Sequence, residues 1–173
     1  TCPDVKKIHD IVKTQTETGK SALIVGDKNH PEVIGIAGRC AGKSFFVVNT
    51  IKETKDALEK CAGKEIFVVS QTTADRENFE NICKFIKNTC NDAVIYDTIC
   101  KATAVRQSEA NEISKKCDVM FVIGGRHSSN TVKLYEICKK NCINTFHIEN
   151  FEDIPQDINY KNKKIGITAG AST

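Results

Sequence analysis

Two stretches of this sequence follow the same pattern, 98 residues apart, and each begins with a cysteine. Cys2 precedes a helix-like run and a strand that ends at Gly26. Cys100 precedes a similar run and a strand that ends at Gly124. The cysteine and the glycine are separated by 24 residues in both copies. Because internal self-similarity arises when one structural unit is used more than once, the repeat predicts two equivalent domains, whose cysteines could face a shared centre.

Short β-rich runs alternate with amphipathic helical stretches along the whole chain. This alternation is typical of parallel α/β units. We therefore predict an α/β fold of two similar small parallel-sheet domains, residues 1–92 and 93–173. The predicted strands are residues 22–25, 44–48, 65–69, 93–96, 118–123, 144–147 and 164–168. Two predicted helices begin at Pro3 and Pro31, and four more span residues 53–61, 74–88, 102–116 and 130–140.

The charge and hydrophobicity of the chain exclude several classes of function. The formal net charge of +3 is small and Lys and Arg are scattered among the acids, so we expect no nucleic-acid partner. No apolar run approaches the roughly 20 residues of a membrane-spanning helix, so we expect no membrane partner. The nine cysteines are odd in number and their spacings resemble no small secreted scaffold. That pattern favours a cytoplasmic protein that uses cysteine for metal binding, redox chemistry or core packing.

Cys2 and Cys100 differ from the other cysteines because each directly precedes a predicted helix and each lies at the same position of the repeat. The partial positive charge of a helix N-terminus favours the thiolate, which is the form that attacks electrophiles and binds metals. The alternative is a buried structural cysteine, but the matching positions favour a shared role for this pair. Most of the remaining seven are predicted to be inert core residues: Cys40, Cys61, Cys83, Cys90, Cys117, Cys138 and Cys142.

Polar residues follow two predicted strands of the first copy. His30 and Glu32 lie in the loop after the first strand, where an imidazole and a carboxyl group can deliver a proton or hold an anion. Thr72 and Thr73 offer hydroxyl groups after a later strand. The alternatives are a turn with an acidic helix start for the first pair, and helix capping for the second.

The second copy has a glycine-rich and then hydroxyl-rich loop at the corresponding place. Ser128, Ser129 and Asn130 suit phosphate oxygens, with backbone donors added by the helix that follows, and Ser172 offers another hydroxyl group near the last strand. Helix capping by Ser or Asn is the alternative and requires no ligand. All of these motifs lie beyond the carboxyl ends of predicted parallel strands, where α/β proteins bind their ligands.

Taken together, these motifs resemble one family along the whole chain, the LytB/IspH family of 4-hydroxy-3-methylbut-2-enyl diphosphate reductases. The resemblance rests on seven strings: Thr1-Cys2-Pro3, His30-Pro31-Glu32-Val33, Ser70-Gln71-Thr72-Thr73, Asp97-Thr98-Ile99-Cys100, Thr103 to Gln107, Ser128-Ser129-Asn130 and Thr168 to Ser172. It implies a trefoil of three α/β domains around an iron–sulfur cluster. The two copies would be the second and third domains, the third of them C-terminally truncated.

The resemblance also implies a role for each matching residue. Cys2 and Cys100 match two of the three cysteines that bind a 4Fe–4S cluster in this family. Glu32 matches the acid that delivers protons, and Thr72 matches the hydroxyl group beside it. The residues that match the diphosphate-binding set are His30, Thr73, Ser128, Ser129, Asn130 and Ser172.

The reaction implied by the resemblance is a two-electron, two-proton reductive dehydroxylation of an allylic diphosphate, the last step of the methylerythritol phosphate route to isoprenoids. Its products are isopentenyl and dimethylallyl diphosphates, and its electron donor is a ferredoxin or a flavodoxin. The third cysteine of the family lies on an N-terminal domain that this chain lacks. We therefore expect the chain to be a fragment that is inactive by itself.

Two other functions stay open on the sequence alone. One is a non-redox phosphate-binding α/β module in which both cysteines are structural. The other is a hydro-lyase that carries a cluster and dehydrates its substrate without reducing it.

Overall fold

The computed structural model describes residues 2–40 and 42–170. Contacts divide the chain into two compact units, unit 1 (Thr1–Cys100) and unit 2 (Lys101–Thr173). Each unit contains one parallel sheet, so the predicted α/β class with two parallel sheets is confirmed. Within the described residues, no helix combines the length and the apolarity needed to span a membrane.

Unit 1 contains a four-stranded parallel sheet with helices on its two faces. Its elements are α1 (Pro3–Glu17), β1 (Ser21–Val25), α2 (Pro31–Ala37), a 3₁₀ helix (Gly38–Cys40), β2 (Phe45–Val48), α3 (Ile51–Lys60), β3 (Ile66–Ser70), α4 (Arg76–Thr89) and β4 (Val94–Ile95). The strand order is β2-β1-β3-β4. The division between the units falls after Cys100, and β4 belongs to the first sheet because it pairs with β3.

Unit 2 repeats the central part of this topology. Its elements are α5 (Lys101–Ser114), β5 (Val119–Ile123), α6 (Ser129–Asn141), β6 (Thr145–Ile148), a second 3₁₀ helix (Phe151–Asp153) and β7 (Ile165–Ala169). The strand order β6-β5-β7 corresponds to β2-β1-β3 of unit 1. The repeat seen in the sequence is therefore a repeat of structure, in which equivalent strands occupy equivalent places.

Each unit has a core on the face of the sheet that carries its first two helices. In unit 1, Ile8 and Val12 of α1 and Ile36 of α2 pack against the buried side chains of β1 and β3. In unit 2, the core consists of Ala110, Met120, Val122, Leu134, Cys138 and Cys142. The fully buried Cys40 and Cys138 occupy corresponding positions of the repeat and act as small apolar residues.

The opposite faces of the two sheets differ. In unit 1, Ile66 and Val68 of β3 are 1% and 0% exposed. The corresponding Ile165 and Ile167 of β7 are 44% and 60% exposed. Between its second and third strands, where unit 1 has α3, unit 2 has a 3₁₀ helix and a loop, from which Tyr160 places its ring centre 6.0 Å from that of Phe121.

Side-chain caps set the starts of the helices that follow strands. Asp75 accepts a hydrogen bond from Asn78 N at 2.9 Å and so begins α4. Thr50 accepts from Glu53 N at 3.2 Å, and the Glu53 carboxylate accepts from Asn49 N at 2.8 Å. The hydrogen bond from Asn49 N is the largest of the effects that lower the pKa of the Glu53 carboxyl. The caps replace backbone partners that the first turn of a helix lacks.

We expect Asp75→Ala to lower the free energy of unfolding by about 1 kcal/mol, because the substitution removes the cap of α4. Asp56→Ala is the matched control, since Asp56 is exposed in the interior of α3 and alanine is a better helix former there. Urea unfolding of both variants measures the difference. Equal stabilities of the two variants would show that the Asp75 cap contributes nothing.

Candidate functional site

The loops after β1 and β3 meet at the carboxyl edge of the sheet in unit 1. Gln71 N donates to Val25 O at 2.8 Å, which continues the parallel pairing by one residue beyond the strands. Asp27 N donates to the side-chain Oε1 of Gln71 at 3.2 Å. The two loops are therefore joined by a backbone and a side-chain hydrogen bond at the place where parallel α/β proteins bind ligands.

Glu32 and Thr72 form a hydrogen-bonded pair at this edge. Thr72 donates twice to the Glu32 carboxylate, from its backbone N to Oε1 at 2.6 Å and from its Oγ1 to Oε2 at 2.7 Å. Thr72 is buried and Glu32 is half-buried. Since both carboxylate oxygens accept, the pair holds the carboxyl group in one orientation although the two residues are far apart in sequence.

His30 precedes α2 and caps it. Its Nδ1 accepts a hydrogen bond from Glu32 N at 3.2 Å, and Pro31 occupies the first helical position. An imidazole nitrogen that accepts from a backbone N–H carries no proton, so the proton of the neutral ring is on Nε2. The half-buried ring of His30 is thus arranged as a donor through Nε2.

Cys100 lies beside this pair. Its backbone N donates to Thr72 O at 3.0 Å, which places the cysteine next to the residue that holds Glu32. Cys2 precedes α1, and Lys6 N donates to its carbonyl oxygen at 3.1 Å. Because a short turn reverses the chain between α1 and β1, the start of α1 lies at the carboxyl end of the sheet. Cys2 is exposed and Cys100 half-buried.

Several of the other cysteines lie in environments that disfavour the thiolate. Burial raises the pKa of Cys40, Cys83 and Cys138 to about 11. Burial also raises the pKa values of Cys61 and Cys117. A thiol with a raised pKa is a poor nucleophile and a poor metal ligand. Over residues 2–40 and 42–170, no three His, Cys, Asp or Glu side chains come together as a metal site.

The second set of predicted residues lies at the start of α6. Ser128 is the N-cap and its Oγ accepts from Thr131 N at 3.4 Å, while Ser129 is the first residue of the helix. Asn130 is 6% exposed, and neither its Nδ2 nor its Oδ1 has a hydrogen-bond partner in the described part of the chain. A buried amide without partners costs free energy, which a polar ligand would recover. Ser172 lies outside the described residues.

The structure assigns local roles to residues for which the sequence predicts none. Gln71 is 3% exposed and bridges the loops after β1 and β3. His147 Nε2 lies 2.9 Å from Gly124 O, and its ring stacks near that of Tyr135, which indicates a structural role. The sequence signal for Gln71 is weak, since a glutamine after a strand is equally compatible with an exposed turn.

Gly26 is required for the packing of Gln71. A Cβ at residue 26 would lie 2.9 Å from Gln71 Oε1 and 2.9 Å from Val33 Cγ2. We expect Gly26→Ala to displace Gln71 and to lower the free energy of unfolding by about 1–3 kcal/mol. Gly35→Ala is the control, since its Cβ would meet His9 Nε2 at an ordinary 3.7 Å. Denaturant unfolding compares the two variants, and a Gly26→Ala variant as stable as the control would refute the close packing.

A family model described as LytB protein matches residues 1–173. A 4-hydroxy-3-methylbut-2-enyl diphosphate reductase of Thermoanaerobacter sp. (strain X514) is 49% identical over 173 residues, which are 100% of this chain and 59% of that protein. The chain thus spans about 59% of the length of this curated relative.

Two solved structures are similar. One is an (E)-4-hydroxy-3-methyl-but-2-enyl diphosphate reductase, the terminal enzyme of the non-mevalonate pathway. It is 39% identical to this chain, with a TM-score of 0.58, and the match covers 100% of this chain and 61% of the other chain. The other is the E-1-hydroxy-2-methyl-but-2-enyl-4-diphosphate reductase from Plasmodium falciparum, 31% identical with a TM-score of 0.90, matching 100% of this chain and 54% of its own. The resemblance seen in the sequence motifs is confirmed, and the chain belongs to the LytB protein family.

Proposed function

We propose that the protein containing this chain reduces 4-hydroxy-3-methylbut-2-enyl diphosphate to isopentenyl and dimethylallyl diphosphates. The names of the relatives support this reaction. The observation that carries the proposal is the Glu32 carboxyl group, held by two hydrogen bonds from Thr72, whose carbonyl oxygen accepts from Cys100 N. A reductive removal of a hydroxyl group requires protons and electrons, and this edge of the sheet combines a proton carrier with a possible ligand of an electron-carrying cluster.

Cys2 and Cys100 would provide two of the thiolates that hold a 4Fe–4S cluster. Thiolate is the ligand that such clusters require, and both cysteines lie at the carboxyl edge of the sheet rather than in a core. A third thiolate would come from a part of the protein outside this chain. When bound, the cluster would supply electrons and an open iron that polarises the leaving oxygen.

The overall reaction consumes two electrons and two protons. It breaks the bond between the allylic carbon and the hydroxyl oxygen, releases water, and forms a new carbon–hydrogen bond. The electrons would come from a ferredoxin or a flavodoxin. One proton completes the water molecule and the other is added to the allylic carbon skeleton.

The geometry indicates which oxygen of Glu32 carries the proton. Thr72 N can only donate, so Glu32 Oε1 must remain an acceptor. The Thr72 hydroxyl group can either donate or accept, so it can reverse when Oε2 is protonated. We therefore assign the transferable proton to Oε2. The hydroxyl group of Thr72 adjusts to both protonation states of the carboxyl group.

Donors in each unit are assigned to diphosphate binding. In unit 1 they are the Nε2–H of His30 and the hydroxyl group of Thr73. In unit 2 they are Ser128, Ser129, Asn130 and Ser172. The buried amide of Asn130, which has no hydrogen-bond partner among the described residues, supports this assignment most directly, because a diphosphate oxygen could accept from its Nδ2.

We expect Cys100→Ser to abolish cluster formation in the full-length protein. The measurement is visible absorbance after anaerobic reconstitution with iron and sulfide. Cys90→Ser is the matched control, since Cys90 is also half-buried but lies at the end of α4. A Cys100→Ser variant that keeps the absorbance of the control would favour the alternative, a non-redox phosphate-binding module with structural cysteines.

We expect Glu32→Gln to lower turnover of the allylic diphosphate by about 10²–10⁴-fold, the usual contribution of a general acid. The amide is isosteric and can keep both contacts with Thr72, so the cluster absorbance should be unchanged. Turnover is measured anaerobically with a chemical reductant. Glu80→Gln, on the exposed side of α4, controls for the loss of one charge. Wild-type turnover in the Glu32 variant would exclude its role as proton donor.

A further inference from the structure

Two side-chain hydrogen bonds of Gln71 are of opposite kind. Its Oε1 accepts from Asp27 N at 3.2 Å, and its Nε2 donates to Thr73 Oγ1 at 2.7 Å. The residue is 3% exposed and directly follows β3. The side chain therefore connects the loop that leads to His30 with one of the hydroxyl groups assigned to diphosphate binding.

The direction of the amide is determined by its first partner. A backbone N–H can only donate, so the oxygen of the Gln71 amide must face Asp27. The NH₂ group consequently faces Thr73, whose oxygen accepts in this bond. Since a hydroxyl group has one proton, that of Thr73 must point away from Gln71, toward a different acceptor.

We propose that Gln71 is a positioning residue, which sets the hydroxyl group of Thr73 so that it donates its proton to a diphosphate oxygen. The inference rests on the proposed function, in which Thr73 contacts the diphosphate. Diphosphate oxygens only accept hydrogen bonds, so a hydroxyl group that presented its lone pairs would repel them. A hydroxyl group whose proton is already directed at the anion forms a charge-assisted hydrogen bond without prior reorientation.

The repeat shows that this edge of the sheet can form without the connection. In unit 2, Gly170 N donates to Ile123 O at 2.9 Å, as Gln71 N donates to Val25 O at 2.8 Å in unit 1. The same strand edge thus forms with a glycine at the position of Gln71. The glutamine side chain is a feature of unit 1 alone, which is the unit that holds Glu32 and Cys100.

Two substitutions separate positioning from packing. Gln71→Glu keeps an acceptor for Asp27 N, but its second carboxylate oxygen takes the proton of Thr73 and reverses that hydroxyl group. Gln71→Met has a similar size and loses both bonds. We expect Gln71→Met to be the less stable of the two variants and Gln71→Glu to bind diphosphate more weakly. If the role of Gln71 were purely structural, the less stable variant would also be the weaker binder.

The experiment measures the binding of inorganic diphosphate by calorimetry, and KM and kcat with the allylic diphosphate, in the full-length protein. We expect Gln71→Glu to weaken binding and to raise KM by about 10–100-fold, the range for one hydrogen bond to a charged group, with a smaller change in kcat. Gln156→Glu, an exposed residue of unit 2, controls for the added charge. Unchanged binding by Gln71→Glu would overturn the inference.

A double-mutant cycle with Thr73→Val separates the hydroxyl group from simple charge repulsion. If Gln71 acts through Thr73, Gln71→Glu weakens binding less in the Thr73→Val background than in the wild type. An equal loss in both backgrounds would overturn the inference. If the Gln71→Glu variant fails to fold, the same cycle is made with Gln71→Met. If Gln71 acts through Thr73, Gln71→Met also weakens binding less in the Thr73→Val background than in the wild type.

The wild-type protein distinguishes this inference from the proposed function. A wild type that neither binds inorganic diphosphate nor turns over the substrate contradicts the proposed function. A wild type that does both, with Gln71 variants that match it, contradicts the positioning role alone.

Discussion

Parallel pairing is the constraint from which the rest of unit 1 follows. β1 pairs in parallel with both β2 and β3, and a parallel connection needs a crossover that returns the chain to the starting edge. The loops that leave these strands consequently gather at one edge, while the helices cover the faces. Residues as distant in sequence as Glu32 and Thr72 come within hydrogen-bond distance for this reason.

The loops at that edge are joined by side-chain and backbone hydrogen bonds. Gln71 bridges to Asp27, Thr72 holds Glu32, and Cys100 N donates to Thr72 O. The segments that follow β1, β3 and β4, which are neighbouring strands of the sheet, are thereby linked through residues of the loop after β3. A carboxyl group held in this way keeps one orientation, which is what a group that transfers a proton to a particular atom requires.

Much of the fold can be predicted from the sequence, because hydrophobic periodicity and capping residues act locally. The strand ending near Val25 and the helix beginning at Pro31 are examples, and both are found where the pattern predicts them. The end of unit 1 is harder to predict, since β4 has only two residues and is defined by its pairing with β3. The bridging role of Gln71 depends on the absence of a Cβ at Gly26, a packing detail that sequence periodicity does not contain.

The repeat places different chemistry at the same structural position. Glu32 and Asn130 both occupy the second position of the helix after the first strand of their unit, and His30 and Ser128 both cap that helix. One copy thus has an acid where the other has a neutral amide. A duplicated scaffold can in this way place an ionisable side chain in one loop and a neutral hydrogen-bonding side chain in the other, so that neither loop has to combine the two properties.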